Sequence, residues 1–396
     1  MYAGRGGGCA DGGNPSHRAP ENRPNPSGGC SVYIAAMPAR KHSASPAVAP
    51  HLDEGFDPDA AATGDGLFGL ATTPADASVV VIPVPFDATT SYRPGTARGP
   101  EAVLEASKQV DLEDLQYGAI WKAGIAMLPI SRKITALSKS ARKAAEPIIA
   151  AGGAKPGNRA HAKALAAVNA ASASVNEFVA HEARAILDRG AIPALLGGDH
   201  ASPFGLIEEL AKRHKGLGVL QIDAHMDLRE AFEGFTFSHA SIYHNVMTRI
   251  PRVSKLVQVG IRDFGARERA FAENSMSRVK VFYDQAIRDR QFAGTPWGAI
   301  CKDIVAALPK EVYISFDIDG LSPDHCPNTG TPVPGGLSFP EVSHLFEVLA
   351  KSGRRIVGFD LVEVAPGPNG EDWNANVGAR VLYKMLGATL KSQRKI

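Results

Sequence analysis

Three apolar runs in this chain of 396 residues end in acids or histidines, and that ending constrains the fold more than any other feature. The run "AIPALLGGDH" closes on His200, "LQIDAHMDLRE" carries Asp223, His225 and Asp227, and "VYISFDIDG" carries Asp317 and Asp319. Residues two apart on an extended chain leave the same face, so each group is expected to converge where its strand turns out of a sheet. Gly197 and Gly198 permit a tight turn and close backbone approach just ahead of His200. The six candidates place four carboxylates in one dry cleft. Two divalent cations would neutralise that charge, whereas one would leave half of it uncompensated. The expectation is a binuclear centre with oxygen and imidazole donors, a set that suits Mn2+, with Ni2+ and Co2+ also compatible, better than it suits zinc.

The other strand candidates are "ASVVVIPVPF", "KLVQVGI", "VKVFYD" and "RIVGFDLVE", and helix-like stretches fill many of the gaps. Continuous β-branched runs alternating with helices indicate a parallel sheet covered on both faces. The expected fold is therefore a three-layer α-β-α single domain over residues 67–396, with ligands bound outside the carboxyl ends of the strands. "GPEAVLEASKQVD" reads as a helix with Pro100 near its N-terminus, and an Ala-rich run from Asn158 to Arg189 reads as one long helix. Residues 133–157 are basic and broken by Gly and Pro. They read as a solvated surface insertion, with a subunit contact or an active-site flap as the other readings.

Residues 1–66 read as a disordered N-terminal extension, because the first fifty contain eight glycines and seven prolines without a period. That stretch is acid-poor with scattered Arg and Ser. A cytoplasmic protein is expected, and an organellar transit peptide or an over-extended gene start near Met37 are the other readings of the extension. The net charge of +2 offers no basic field for nucleic acid, and no apolar run approaches the ~20 residues of a membrane span. The four cysteines at 9, 30, 301 and 326 form no close pair. Cys326, in "DHCPNTG", reads as a small residue shaping a loop wall ahead of a catalytic thiol.

"GGDH", "DAHMD", "SFDIDGLSP", "TGTPVPGG" and "DLVEVAP" resemble, in order and spacing, the motifs of the ureohydrolases (arginase, agmatinase and relatives), over roughly residues 78–390. The resemblance implies an arginase-like fold, two divalent metal ions with Mn2+ first and Ni2+ the main alternative, a homo-oligomer (trimer or hexamer), and a small guanidino substrate. It assigns Asp227 to orient the attacking water and His239, in "FTFSHASIYH", to shuttle a proton to the departing amine, a task the natural pKa of histidine suits. His244 lies close enough in sequence to compete for that role. Glu363 is implied as the guanidinium-binding carboxylate, acting through charge-assisted hydrogen bonds, with a buried structural ion pair as the alternative. Thr329 and Thr331 in "TGTP" either hydrogen-bond the substrate or set the turn.

Arginases read the head of arginine partly through an asparagine soon after the D-x-H-x-D motif. Here that place holds "LREAFEG", and Arg229 makes arginine the poorer substrate. "DLREAFEGFTFSHAS" and "PFDATTSYRPGTARGPEAVLEAS" look like the agmatinase and guanidine hydrolase branch. The N-terminal extension and the insertion before the long helix lean the reading to guanidine or a short N-substituted guanidine, with agmatine or guanidinobutyrate as the alternative. Ser322 stands where the family generally has an aspartate, a change expected to loosen loop geometry without removing a ligand. An inactive regulatory partner would be expected to lose ligands, and this chain keeps all six.

Overall fold

The β-branched runs pair as one parallel sheet. In a computed structural model that describes residues 56–396, its strands are β1 (Val79–Val84), β2 (Ile125–Met127), β3 (Ile192–Gly197), β4 (Leu217–Ile222), β5 (Val253–Ile261), β6 (Val279–Tyr283), β7 (Glu311–Asp317) and β8 (Arg355–Val362). They lie in the order β2-β1-β3-β8-β7-β4-β5-β6, every pair parallel. The helices are α1 (Gly99–Ser107), α2 (Arg132–Ala150), α3 (Arg159–Asp188), α4 (Phe204–Arg213), α5 (Ile242–Arg249), α6 (Ala266–Glu273), α7 (Asp284–Phe292), α8 (Trp297–Ala306), α9 (Phe339–Lys351) and α10 (Trp373–Ser392).

Side chains leave alternate faces of each strand, which explains why whole strands read as apolar. Val79 and Val81 of β1 join the core formed with α1, α8, α9 and α10, while Val80, Ile82 and Val84 join the one formed with α3, α4 and α5. The result is the expected three-layer α-β-α fold around a parallel sheet. Of the expected extension, residues 1–55 lie outside the described residues. Phe56 places its ring 5.0 Å from that of Trp121.

Three local expectations need correction. The strand β2 was not visible in the sequence, since three residues, Ile125 to Met127, carry no pattern. Residues 133–157 are not a broken surface insertion. They are mostly the helix α2, which packs against α3 and buries Ile134, Ser138, Ala141, Ala145 and Ile148. Ala and Ser carry much of that stripe, so hydropathy hides it, and Pro147 falls in the last turn, where it removes one backbone hydrogen bond without breaking the helix. Finally, the strands stop before most of the metal-ligand candidates. β4 ends at Ile222, and Asp319 sits on a short turn of 3-10 helix after β7. The i, i+2 groups therefore converge through loop conformation and not through an extended strand.

Long helix α3 behaves as its sequence requires. Asn158 caps it, its Oδ1 accepting from the amides of Ala160 at 3.0 Å and His161 at 3.2 Å. At the other end of the argument, Gly198 is required by crowding: a Cβ there would stand 1.9 Å from the carbonyl oxygen of Phe86. Gly198→Ala must push the β1 and β3 ends apart, and is expected to cost about 3 kcal/mol or more in denaturant unfolding, with loss of bound metal because His200 follows two residues later.

Candidate active site

Four strands that are neighbours in the sheet, β3, β8, β7 and β4, deliver the chemistry from their carboxyl ends. His200 follows β3, Glu363 follows β8, Asp317 and Asp319 end and follow β7, and Asp223, His225 and Asp227 follow β4. Chain order and sheet order diverge between β3 and β4, which opens a crevice at that end of the sheet.

All six ligand candidates meet there. His200 Nδ1 lies 3.0 Å from Asp223 Oδ2, 2.9 Å from Asp227 Oδ2 and 3.2 Å from Asp317 Oδ2. His225 Nδ1 lies 3.1 Å from Asp319 Oδ2 and 3.5 Å from Asp223 Oδ1. Two overlapping groups result, His200 with Asp223 and Asp227, and Asp223 with His225 and Asp319, so Asp223 is shared. Backbone amides hold the carboxylates in place: His225 N–H donates to Asp223 at 2.6 Å, Ala224 N–H to Asp319 at 3.1 Å, and Asp319 N–H to Asp317 at 2.9 Å.

The electrostatics call for cations. Burial, and then the neighbouring Asp223, push Asp227 up to about 7. Asp317 is raised well above the carboxylate range by burial and then by Asp319 and Asp223, and Glu363 by burial and then by Asp317 and Asp199. Such a cluster binds either protons or metal. The residues fit two divalent cations on a structural ground: His200 Nδ1 is buried without a hydrogen-bond partner and faces three carboxylate oxygens. Its other nitrogen, Nε2, lies 3.0 Å from Ser315 Oγ, which donates to Asp360 at 2.9 Å, a relay that fixes the ring as a metal-ligating histidine requires.

A cavity of about 200 Å³ opens over the ligands. His200, His225, Asp227 and Asp317 form its floor, and Glu363, His239, Thr331, Ser91, Arg229 and Phe232 are among its walls. Glu363 Oε1 accepts from the His200 amide at 2.9 Å, and no Lys or Arg among the described residues pairs with it. His239 Nε2 lies 3.3 Å from Ser91 Oγ, its Nδ1 is buried without a partner, and burial followed by the His225 and His200 charges holds its pKa well below the ordinary value. His244 is turned away: it borders a separate surface pocket with its ring 5.1 Å from Phe271. The two threonines also separate. Thr331 reaches the cavity, its Oγ1 3.5 Å from Asp319 Oδ2, but Thr329 is fully buried outside the cavity lining and donates to the Glu363 carbonyl at 2.8 Å, a bond that sets the turn. Cys326 is buried off the cavity wall with its thiol pKa raised by burial, and Ser322 bonds Asp324 within its own loop.

Sequence reasoning missed the supporting residues. Thr89 Oγ1 donates to Asp199 at 3.0 Å and accepts from the His239 amide at 3.2 Å, so the loop after β1 clamps His239. Gln221 Nε2 donates to Asp223 at 2.7 Å and Gln258 Nε2 to Gln221 at 2.6 Å. The available signal was a lone polar residue in a buried strand, as Gln221, Gln258, Ser315 and Asp360 all are. If Asp223 is shared by both metal positions, Asp223→Asn should lose both ions together in elemental analysis of purified protein, whereas Asp319→Asn should retain about one.

The sequence pattern that defines the arginase family matches residues 77–387. A protein of Thermus thermophilus named N(1)-aminopropylagmatine ureohydrolase is 32% identical over 324 residues, which cover 81% of this chain and 94% of its own. An agmatinase of Pyrococcus horikoshii is 29% identical, with 80% of this chain and 93% of its own covered. Among solved structures, a hypothetical agmatinase from Burkholderia thailandensis superposes with a TM-score of 0.62 at 25% identity, over 84% of this chain and 91% of its own. The arginase of Bacillus cereus superposes with a TM-score of 0.56 at 26% identity, over 78% and 98%. With the ligand cluster at the strand ends and these similarities in hand, the chain belongs to the arginase family of metal-dependent hydrolases acting on guanidino C–N bonds.

Proposed function

We propose that this chain hydrolyses the C–N bond of a small guanidino compound, guanidine itself or a short N-substituted guanidine, to urea and ammonia or an amine. The observation that carries the reading is Glu363. It is a buried carboxylate in the cavity wall, beside the ligand cluster, and no Lys or Arg among the described residues pairs with it. A guanidinium ion is the cation such a carboxylate suits, through charge-assisted N–H donors.

A guanidinium carbon is a weak electrophile because its charge is spread over three nitrogens. Held by His200, Asp223, His225, Asp227, Asp317 and Asp319, two divalent cations would supply the charge that makes water a nucleophile near neutral pH. Asp227, at 2.9 Å from His200 Nδ1 and exposed to the cavity, is placed to orient that water. The water oxygen bonds to the guanidinium carbon while Glu363 fixes the substrate. The water's proton passes to the leaving nitrogen through His239 Nε2, which stands in the cavity wall 3.3 Å from Ser91 Oγ. The C–N bond then breaks and the nitrogen departs as ammonia or amine. Mn2+ is the first choice for this oxygen and imidazole set and Ni2+ the second. Agmatine is the second substrate reading, favoured by the names of the relatives in Thermus and Pyrococcus.

Urea release from guanidine, methylguanidine, guanidinobutyrate, agmatine and arginine, after loading with Mn2+ or Ni2+, ranks these substrates. Glu363→Gln should lower kcat/KM by on the order of 10² or more while metal content stays intact. His239→Asn should chiefly lower kcat, least for substrates whose leaving amine needs little help. Arginine as the best substrate, or normal kinetics in Glu363→Gln, would overturn this assignment.

A further inference from the structure

The α2–α3 hairpin touches both walls of the cavity. On one side Ser138 Oγ lies 3.2 Å from the Asp87 amide, whose proton it accepts, and the Arg142 guanidinium donates to the Thr90 carbonyl, in the loop that carries Ser91. On the other side the hairpin grips a turn. Ala154 N–H donates to the Glu233 carbonyl at 3.0 Å, and Asn169 Oδ1 accepts from the Thr236 amide at 3.0 Å. Gly234 leaves so little room that a Cβ there would come within 3.3 Å of Ala154 and 3.4 Å of Leu165.

The gripped segment is a tight hairpin turn. Phe232 and Phe235 exchange backbone hydrogen bonds of 3.2 and 2.8 Å, and between them Glu233 and Gly234 have φ of +55° and +100°, the left-handed pair a type I′ turn demands. Phe235 is fully buried among Ala145, Ile148 and Val168. Phe232, opposite it, stands in the cavity wall with its ring edge-on to His239 at 5.7 Å and with the Arg229 guanidinium 5.0 Å from its centroid. A shift of its backbone is opposed, because the hydrogen bonds between the two residues would draw Phe235 out of its core. One face of the Phe232 ring is taken by Arg229, which Glu268 pairs at 3.4 Å, so Phe232 opposes a long guanidino amine by its bulk more than by charge.

We infer that Phe232, braced by the α2–α3 hairpin, is a specificity-determining residue that closes the cavity to long substituents and keeps the site for unsubstituted or short N-substituted guanidines. The cavity of about 200 Å³ falls below the 300–1,000 Å³ of typical ligand pockets, as a site so walled should. The inference rests on the reading of the site as a guanidino hydrolase.

The test is urea release by metal-loaded wild type, Phe232→Ala, Phe232→Leu and Asn169→Ala, with guanidine, methylguanidine and agmatine, metal content being measured for each. Phe232→Ala should raise the agmatine-to-guanidine ratio of kcat/KM by about tenfold or more, through a lower KM for agmatine, because a few methylenes of space decide the discrimination. Phe232→Leu should move the ratio the same way by less, and it decides the matter if the alanine variant does not fold. Asn169→Ala, far from the reacting atoms, should shift the ratio in that direction by loosening the turn. A ratio within about twofold of wild type in both metal-loaded Phe232 variants would overturn the role of Phe232. Wild type that prefers agmatine to guanidine would overturn it too, while leaving the hydrolase reading standing, whereas no urea from any of the three removes both.

Discussion

Repulsion among buried carboxylates is the constraint around which this molecule is arranged. Asp199, Asp223, Asp227, Asp317, Asp319, Asp360 and Glu363 are each less than a tenth exposed. Taking an ion out of water costs several kcal/mol unless a partner of opposite charge is present, and only two histidines stand among the ligands. A parallel sheet makes the concentration possible, since all its strands end on one side. Four neighbouring strands therefore contribute acids or histidines to one crevice, and cations held there would offset the repulsion that the fold creates.

The backbone shows where that arrangement is under tension. Asp227 and Glu363 have φ of +53° and +61°, a left-handed conformation that costs a side-chain-bearing residue about 1 kcal/mol or more. Both are pinned. The Asp227 carbonyl accepts from the amides of Tyr243 and His244 at 3.0 and 3.3 Å, and the Glu363 amide donates to the Gly198 carbonyl at 2.9 Å. Strain thus falls at the two carboxylates whose direction matters most, and the start of α5 and the turn after β3 hold it there.

The sheet and the convergence of the six ligand candidates were legible in the sequence because each rests on a short-range signal, an apolar run with acids or histidines at its end. Glu363 also closes an apolar run, "RIVGFDLVE", but its role, like that of His239, was reached only through resemblance. The α2 helix was lost because Ser138, Ala141 and Ala145 pack well without looking apolar. The i, i+2 argument brought the candidates together for an incomplete reason, as the chain leaves the strand at Ile222 and a left-handed Asp227 completes the convergence. Supporting contacts such as Ser91 to His239 join residues 148 apart, and no periodicity reports a pairing of that range.

Chemistry and selectivity rest on different parts of this fold, and that division follows from stiffness. The ligands sit on strand ends, where a distance change of half an ångström would alter the binding of a cation, so they need the rigidity of the sheet. The walls are loops, which by themselves are mobile and would discriminate poorly between substrates. Packing α2 and α3 beneath both loops gives the walls some of the stiffness of a helix layer while leaving the strand ends untouched. Residues on those helices can then reshape what the cavity admits without disturbing a single metal ligand.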